Sequence, residues 1–293
     1  MRFRATVNWR TIQPMTTPFT TLIESATLAD LAGPSKMSGD TRIIDCRARL
    51  GDPGFGARAF AEGHIPGAVQ GDLDRDFASP PGRRGRHPLP DAGSLVEQLR
   101  YWGVNTTTQV VVYDDMGGMF AARAWWLLRW LGHESVAVLN GGLPAWQAAG
   151  LPIETHWVEW PRGNFVRRSP LTRETDADGL LHNSTASRID ARAEERFAGL
   201  KEPIDHTAGH IPGAVCIPAA GNLDAAQRFL SPDQLAQRFK GLGRELICYC
   251  GSGVTAAHNI LAMRVAGLDE PSLYAGSWSE WIEDKTRPIA TGP

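Results

Sequence analysis

This 293-residue chain has no apolar run approaching the length of a transmembrane span, so nothing in it asks for a bilayer. It also lacks a dominant charge. Thirty basic residues against 32 acidic ones leave a net charge of −2, which removes any global reason to expect nucleic acid or a membrane surface as partner. Cysteine is scarce: Cys46, Cys216, Cys248 and Cys250 have neither metal-ligand spacing nor the density of a disulfide scaffold. Reduced thiols in a cytoplasmic protein are the simplest expectation. No acid precedes Glu24, whereas Arg2, Arg4 and Arg10 do, a faint likeness to a transit peptide. No apolar core or small-residue cleavage site accompanies them, so residues 1–14, ahead of Met15, are read as a tail or an over-long start.

What is present is a repetition. Residues 63–69 read GHIPGAV and residues 209–215 read GHIPGAV again. RIIDCR, with Asp45 and Arg47, precedes the first copy, and RIDAR, with Asp190 and Arg192, precedes the second. Downstream, VVYDDMGGMFAAR (111–123) answers ICYCGSGVTAAH (247–258), and VLNGGLPAW (138–146) answers LYAGSWSEW (273–281). The period is far longer than that of a solenoid repeat, so each copy is a domain of its own. Length and a hydrophobic content of 42% agree with two globular units. The expected division is 20–154, a connection over 155–180, and 181–293.

Within each copy the pattern alternates strand and helix. VVVY (110–113) and LICY (246–249) have the composition of buried parallel strands. FAARAWWLLRWLG and TAAHNILAMRVAG are the helices that follow, stopped by Gly132 and Gly267. The fold class predicted is α/β, two tandem domains each with a mainly parallel sheet flanked by helices. The septet reads as a turn leading into a strand, and its histidines need not be catalytic. Between the copies, Arg162, Arg167, Arg168 and Arg173 are assigned to a solvated linker face.

The copies differ most where chemistry belongs. Ligands of an open α/β sheet bind beyond the carboxyl ends of its strands. There the second copy places CGSGVT (250–255) and the first places DDMGGMF (114–120). Cys250 is followed by a glycine-permitted turn, whose N–H groups can converge, and by a helix N-terminus; both favour an anion, hence a thiolate. Asp114 at the matching place cannot act as a sulfur nucleophile. Cys248 lies within the apolar run, and Cys46 and Cys216 lie in or beside strands, so all three are assigned to packing.

Two copies bearing GHIPGAV, with a CGSGVTA loop only in the second, resemble the tandem-domain rhodanese superfamily and, within it, the 3-mercaptopyruvate sulfurtransferases. The resemblance covers about residues 20–290. Thiosulfate-specific rhodaneses typically carry basic side chains in this loop, in a form such as CRKGVT; here Gly251 and Ser252 stand at those places. A loop without cations should prefer a less charged sulfur donor. The resemblance implies that Cys250 is the nucleophile that becomes a persulfide. The backbone amides of Gly251, Ser252, Gly253, Val254 and Thr255 would then cradle the sulfur anion.

It further implies that Ser252 joins a relay with an acid and a histidine of the first domain. GAVQGDLD and HPLP point to Asp74 and His87. Asp72 and Asp76 compete with Asp74, His87 sits in a predicted surface loop, and Thr255 reads as a helix N-cap. Arg196, in EERF, falls where the family places a substrate arginine; its alternative is an ion pair with Glu194 or Glu195. Mercaptopyruvate enzymes often have a second arginine in an E-P-R phrase, but this chain reads EPI, with Ile204. Arg83, Arg84 and Arg86 could compensate if their loop reaches the cleft.

No metal or organic cofactor is implied. The expected partners are a small-molecule sulfur donor and a thiol, cyanide or thioredoxin-type acceptor, with neither nucleic acid nor membrane. A thiosulfate:cyanide sulfurtransferase and a non-catalytic binding module are the competing functions. A phosphatase is excluded, because it needs an arginine six positions after its cysteine, where Ala256 stands.

Overall fold

A computed structural model of the chain describes residues 17–32, 41–183 and 185–293. Residues 1–14, read above as a tail or over-long start, and Met15 after them lie outside the described residues. Among the described residues no helix is long and apolar enough to cross a membrane.

Two five-stranded sheets, parallel throughout, repeat one topology. The first contains β1 (Leu22–Ile23), β2 (Thr41–Asp45), β3 (Ala68–Gln70), β4 (Gln109–Tyr113) and β5 (Val136–Leu139), in the order β1-β5-β4-β2-β3. The second contains β6 (Arg173–Thr175), β7 (Ser187–Asp190), β8 (Ala214–Cys216), β9 (Leu246–Tyr249) and β10 (Ser272–Tyr274), in the order β6-β10-β9-β7-β8. β4 and β9 are the central strands, and their apolar runs are buried, as a parallel sheet covered on both faces requires. The edge strand β6 begins at Arg173, inside the 155–180 stretch that the sequence reading gives to the connection. Its short RET segment has too little apolar periodicity to announce a strand.

The repeated septet is a structural device. Asp45 holds Arg47 in a bidentate pair, and Arg47 donates to the Gly63 carbonyl at 2.7 Å; Asp190, Arg192 and Gly209 repeat this with the same 2.7 Å contact. His64 stacks on Phe60 and His210 on Phe197, each ring pair 3.7 Å apart, and each histidine Nδ1 meets the carbonyl of its stacking partner. Both are therefore engaged in holding the turn before β3 and β8.

The halves meet through two helices, Ala121–Trp130 and Thr255–Val265, which follow β4 and β9 and pack against each other. Alanines at 121, 122, 124, 256, 257 and 262 are fully buried and let the backbones approach. One apolar cluster runs through both halves, from Ile44, Val112 and Trp126 to Ile189, Cys248 and Leu261. Neither helix has a free polar face, so the interface is a continuation of the core.

Candidate active site

Cys250 begins the loop between β9 and the Thr255 helix and is 2% exposed. Its N–H is held by Ser277 Oγ at 3.1 Å and its carbonyl accepts from Trp278 N–H at 3.0 Å, so the main chain is pinned from the β10 side. The Gly253 N–H donates to Cys250 Sγ at 3.1 Å. Gly253 has φ +76°, and a Cβ there would lie 2.4 Å from the Ala275 carbonyl, so this turn requires glycine. Thr255 corrects the sequence reading: it is the first helical residue, preceded by Val254 with no side-chain cap. The chain enters the helix from an αR residue, which gives no side chain the extended lead-in that an N-cap needs.

The first copy shows what such a loop does with an anion. Asp114 occupies the place of Cys250, and its carboxylate accepts from the N–H groups of Met116, Gly118, Phe120 and Ala121 at 2.7–2.9 Å. Burial raises its pKa while those four donors pull against the rise. The cradle of the first copy is thus filled by its own side chain.

The first domain supplies the other wall. His87 is buried, contrary to its expected place in a surface loop, because the loop 79–88 docks on the second domain. Arg86 N–H donates to Ser279 Oγ at 3.0 Å, and a Cβ at Gly85 would come within 2.7 Å of the Gly276 carbonyl. His87 Nδ1 lies 2.7 Å from Ser252 Oγ, and Nε2 lies 3.2 Å from Asp74 Oδ1. Asp74 is the acid of the three candidates that meets His87. Asp76 pairs with Arg75, and the Asp72 carboxylate accepts from the N–H groups of Asp74 and Arg75.

Burial, with the nearby charges of Arg123 and Arg86, lowers the His87 pKa to about 4, so the ring is neutral at neutral pH. Asp74 favours the opposite shift, but its side chain is 55% exposed and water screens it. Burial and Asp72 raise the pKa of Asp74 itself. A carboxylate can only accept, so Nε2 carries the proton and Nδ1 accepts from the Ser252 hydroxyl.

Arg196 lies beside the Cys250 loop but pairs with neither Glu194 nor Glu195. Its guanidinium donates to Glu202 at 2.8 and 3.1 Å and to Asp205 at 3.0 Å. Asp205 also pairs with Arg86, so one carboxylate bridges guanidinium groups from the two domains. A Cβ at Gly251 would lie 2.8 Å from Arg86 Nη2 and 3.4 Å from Arg196 Nη1. The cations missing from the loop are therefore present next to it, brought from elsewhere in the chain. Ile204 is 44% exposed and contributes no charge. Burial raises the Asp205 pKa against the pull of both arginines; Glu202 is also desolvated, but Arg196 and two backbone N–H groups hold its pKa down.

Cys46 and Cys248 are buried, and Cys216 is half-buried; burial raises the pKa of all three, to about 12 for Cys216. Of the linker arginines, Arg162 pairs with exposed Glu97 and Arg173 lies in β6. The residues that sequence reasoning missed are Asp205 and Arg123. Asp205 stands in an unpatterned loop. Arg123 sits in an apolar helix, yet its signal was in the repeat itself, since AAR (121–123) aligns with AAH (256–258).

The family model for the rhodanese-like domain matches residues 27–149 and 174–284. A Pseudomonas aeruginosa protein named "Probable 3-mercaptopyruvate sulfurtransferase" is 50% identical over 264 residues, covering 86% of this chain and 93% of the relative. A Mycobacterium tuberculosis protein provisionally named thiosulfate sulfurtransferase SseB is 40% identical over 280 residues, covering 91% and 96%. Among solved structures, SseA of Escherichia coli, a 3-mercaptopyruvate sulfotransferase, is 33% identical with a TM-score of 0.76, covering 89% of this chain and all of SseA. With both sheets, both septets and both matched regions in agreement, the chain belongs to the rhodanese family as a tandem-domain member.

Proposed function

We propose that this chain is a sulfurtransferase that takes sulfur from 3-mercaptopyruvate onto Cys250 and passes it to a nucleophilic acceptor. The observation that carries the reading is the Ser252–His87–Asp74 relay assembled across the domain boundary beside Cys250. Attack of the Cys250 thiolate on the donor sulfur breaks the carbon–sulfur bond, and its electron pair leaves with carbon as the pyruvate enolate. The proton lost by the donor thiol is the one the enolate carbon needs. A neutral His87 between a hydroxyl and a carboxylate can move it, so the products are a persulfide anion and pyruvate. The amides of residues 251–255 hold the anionic sulfur, as those of the first copy hold Asp114.

Arg196 and Arg86 are the groups suited to the donor's carboxylate, Arg86 taking the part of the arginine replaced by Ile204. The same two cations favour the second reading, thiosulfate as donor, which the tuberculosis relative's name also suggests. Mercaptopyruvate is preferred because Asp205 and Glu202 neutralise the pair, leaving no excess charge for a dianion. The acceptor is a thiol, cyanide or a thioredoxin-type protein, and the four free thiols suit a cytoplasmic setting. The working division becomes 20–154 and 173–293, the second unit beginning at β6 instead of at 181.

The test is intact-protein mass spectrometry after brief incubation with 3-mercaptopyruvate or thiosulfate. One added sulfur is expected with 3-mercaptopyruvate, removable by a thiol and absent in Cys250→Ser. Addition with thiosulfate alone would transfer the assignment to the second reading, and addition with neither would leave a binding module.

A further inference from the structure

Arg123 lies in the Ala121–Trp130 helix and is completely buried. Three other buried arginines close on carboxylates: Arg47 on Asp45, Arg129 on Glu270, Arg192 on Asp190. Arg123 closes on carbonyls. Nη1 donates to Gly253 O at 3.2 Å, Nη2 donates to His87 O at 3.1 Å and to Phe77 O and Pro88 O at 3.4 Å, and Nε donates to Phe77 O at 3.4 Å. No ion pair of Arg123 occurs among the described residues. One guanidinium thus ties the residue whose N–H meets Cys250 Sγ to the backbone of the relay histidine, across the domain boundary.

The duplication supplies an internal control. His258 stands in the second copy where Arg123 stands in the first, and its Nε2 lies 3.1 Å from Gly117 O. Counted from Asp114 and Cys250 at the strand ends, Gly117 in turn matches Gly253. The two interface helices therefore make reciprocal contacts, each reaching the other copy's loop at the equivalent glycine carbonyl. Burial lowers the His258 pKa to about 4, so the residue serving the nucleophile-free loop is neutral. The residue serving the Cys250 loop is a permanent cation. The architectural bond is common to both sides, and the charge occurs only where a thiolate can form.

An unpaired buried cation is costly, and its retention asks for an anion that comes and goes. Burial brings the Arg123 pKa down to about 10, still charged at neutral pH, with Cys250 and then Glu174 acting in the opposite direction. Around Cys250 stand Cys248 on its own strand, Arg86 and Arg196 beside Gly251 with Asp205 and Glu202 behind them, and His87 on Ser252 with Asp74 beyond. Ser277 completes the surroundings from the β10 side. Arg86 and Arg196 are already neutralised by carboxylates; Arg123 is not.

We propose that Arg123 is the positioning residue of this site: it registers His87 against the Cys250 loop and serves as the buried counter-charge of the Cys250 thiolate. The proposal rests on Cys250 being the nucleophile, and its test separates that premise from the role of Arg123. Arg123→Met and Arg123→Lys are compared with the unmodified chain by the rate at which methyl methanethiosulfonate labels Cys250 at pH 7, and by kcat and KM for 3-mercaptopyruvate. Melting temperatures and near-ultraviolet circular dichroism check folding.

Loss of the charge in Arg123→Met should slow labelling about tenfold. Arg123→Lys keeps the charge but not the fork, so labelling should stay within about threefold while kcat falls about tenfold and KM hardly moves. Labelling of Arg123→Met at the unmodified rate, or equal loss in both variants, would overturn the proposal. If Arg123→Met does not fold, Arg123→Lys alone decides: normal labelling with reduced kcat supports it, and normal kcat overturns it. An unmodified chain that labels at Cys250 but never loads sulfur would sink the sulfurtransferase reading and leave the labelling comparison standing.

Discussion

Asp205 is the residue at which the proposed donor choice is most directly tested. Two guanidinium groups and two carboxylates meet beside Gly251, so the cluster is balanced, and Asp205 touches both arginines. Asp205→Asn leaves a hydrogen-bonding side chain but one net positive charge. That charge should raise the ratio of kcat/KM for thiosulfate to that for 3-mercaptopyruvate by about tenfold, a modest share of a partly screened charge interaction at contact distance. An unchanged ratio would show that the cluster does not face the donor. Cys250 was legible from its place between a strand end and a glycine turn, and Ser252, Asp74 and His87 from the motifs of the resemblance. Asp205 and Arg123 were not legible in this way. Their partners lie far away in sequence, and no periodicity marks a buried charge whose reason is on the opposite domain.

At the scale of the element, the two loops after β4 and β9 are alternative solutions to one electrostatic problem. Convergent amides at a helix N-terminus favour an anion, and the first copy builds it in. Replacing Asp114 by Ala would strand four buried donors that now have a carboxylate partner. A stability loss of more than about 3 kcal/mol is expected, readable as a lower midpoint in urea unfolding, with Asp114→Asn intermediate. A loss below about 1 kcal/mol would mean that water replaces the carboxylate with ease. The strands and helices flanking these loops were legible because their apolar runs and glycine stops are strong local signals. β6 was not, because a three-residue edge strand takes its identity from its pairing with β10 and has too few residues to carry a pattern.

At the scale of the whole molecule, two neutral histidines sit in the contact between the halves. His87 and His258 both have pKa values lowered to about 4, against 6.5 for the unpaired ring. The unfolded chain takes up these protons as pH falls through 6.5, and the folded chain does not until near 4. Their contribution is therefore intact above 6.5 and is lost towards 4, at up to about 1.4 kcal/mol per pH unit for each ring. The raised pKa values of Asp74 and Asp205 work against this slope, so the comparison is made with His258→Gln. Thermal unfolding measured from pH 7 to 4 should show a shallower acid loss in that variant. Identical slopes would mean that His258 titrates normally. The duplication was legible at this scale, whereas the reciprocity of the interface helices was not. Helix periodicity identifies an apolar face but cannot tell which other surface covers it.

Arg123 belongs to the half of the chain that is synthesised first. As the first domain leaves the ribosome, the guanidinium stands at a surface still open to water, where a lone cation costs little. Asp74 and His87 are also already in hand. Cys250 is made more than a hundred residues after Arg123, and only when its helix closes over that surface is the charge dehydrated and the relay brought to the sulfur. The order of translation thus makes the first domain a template on which the reactive half matures, and it keeps the thiol out of its activating surroundings until the wall that controls it has folded.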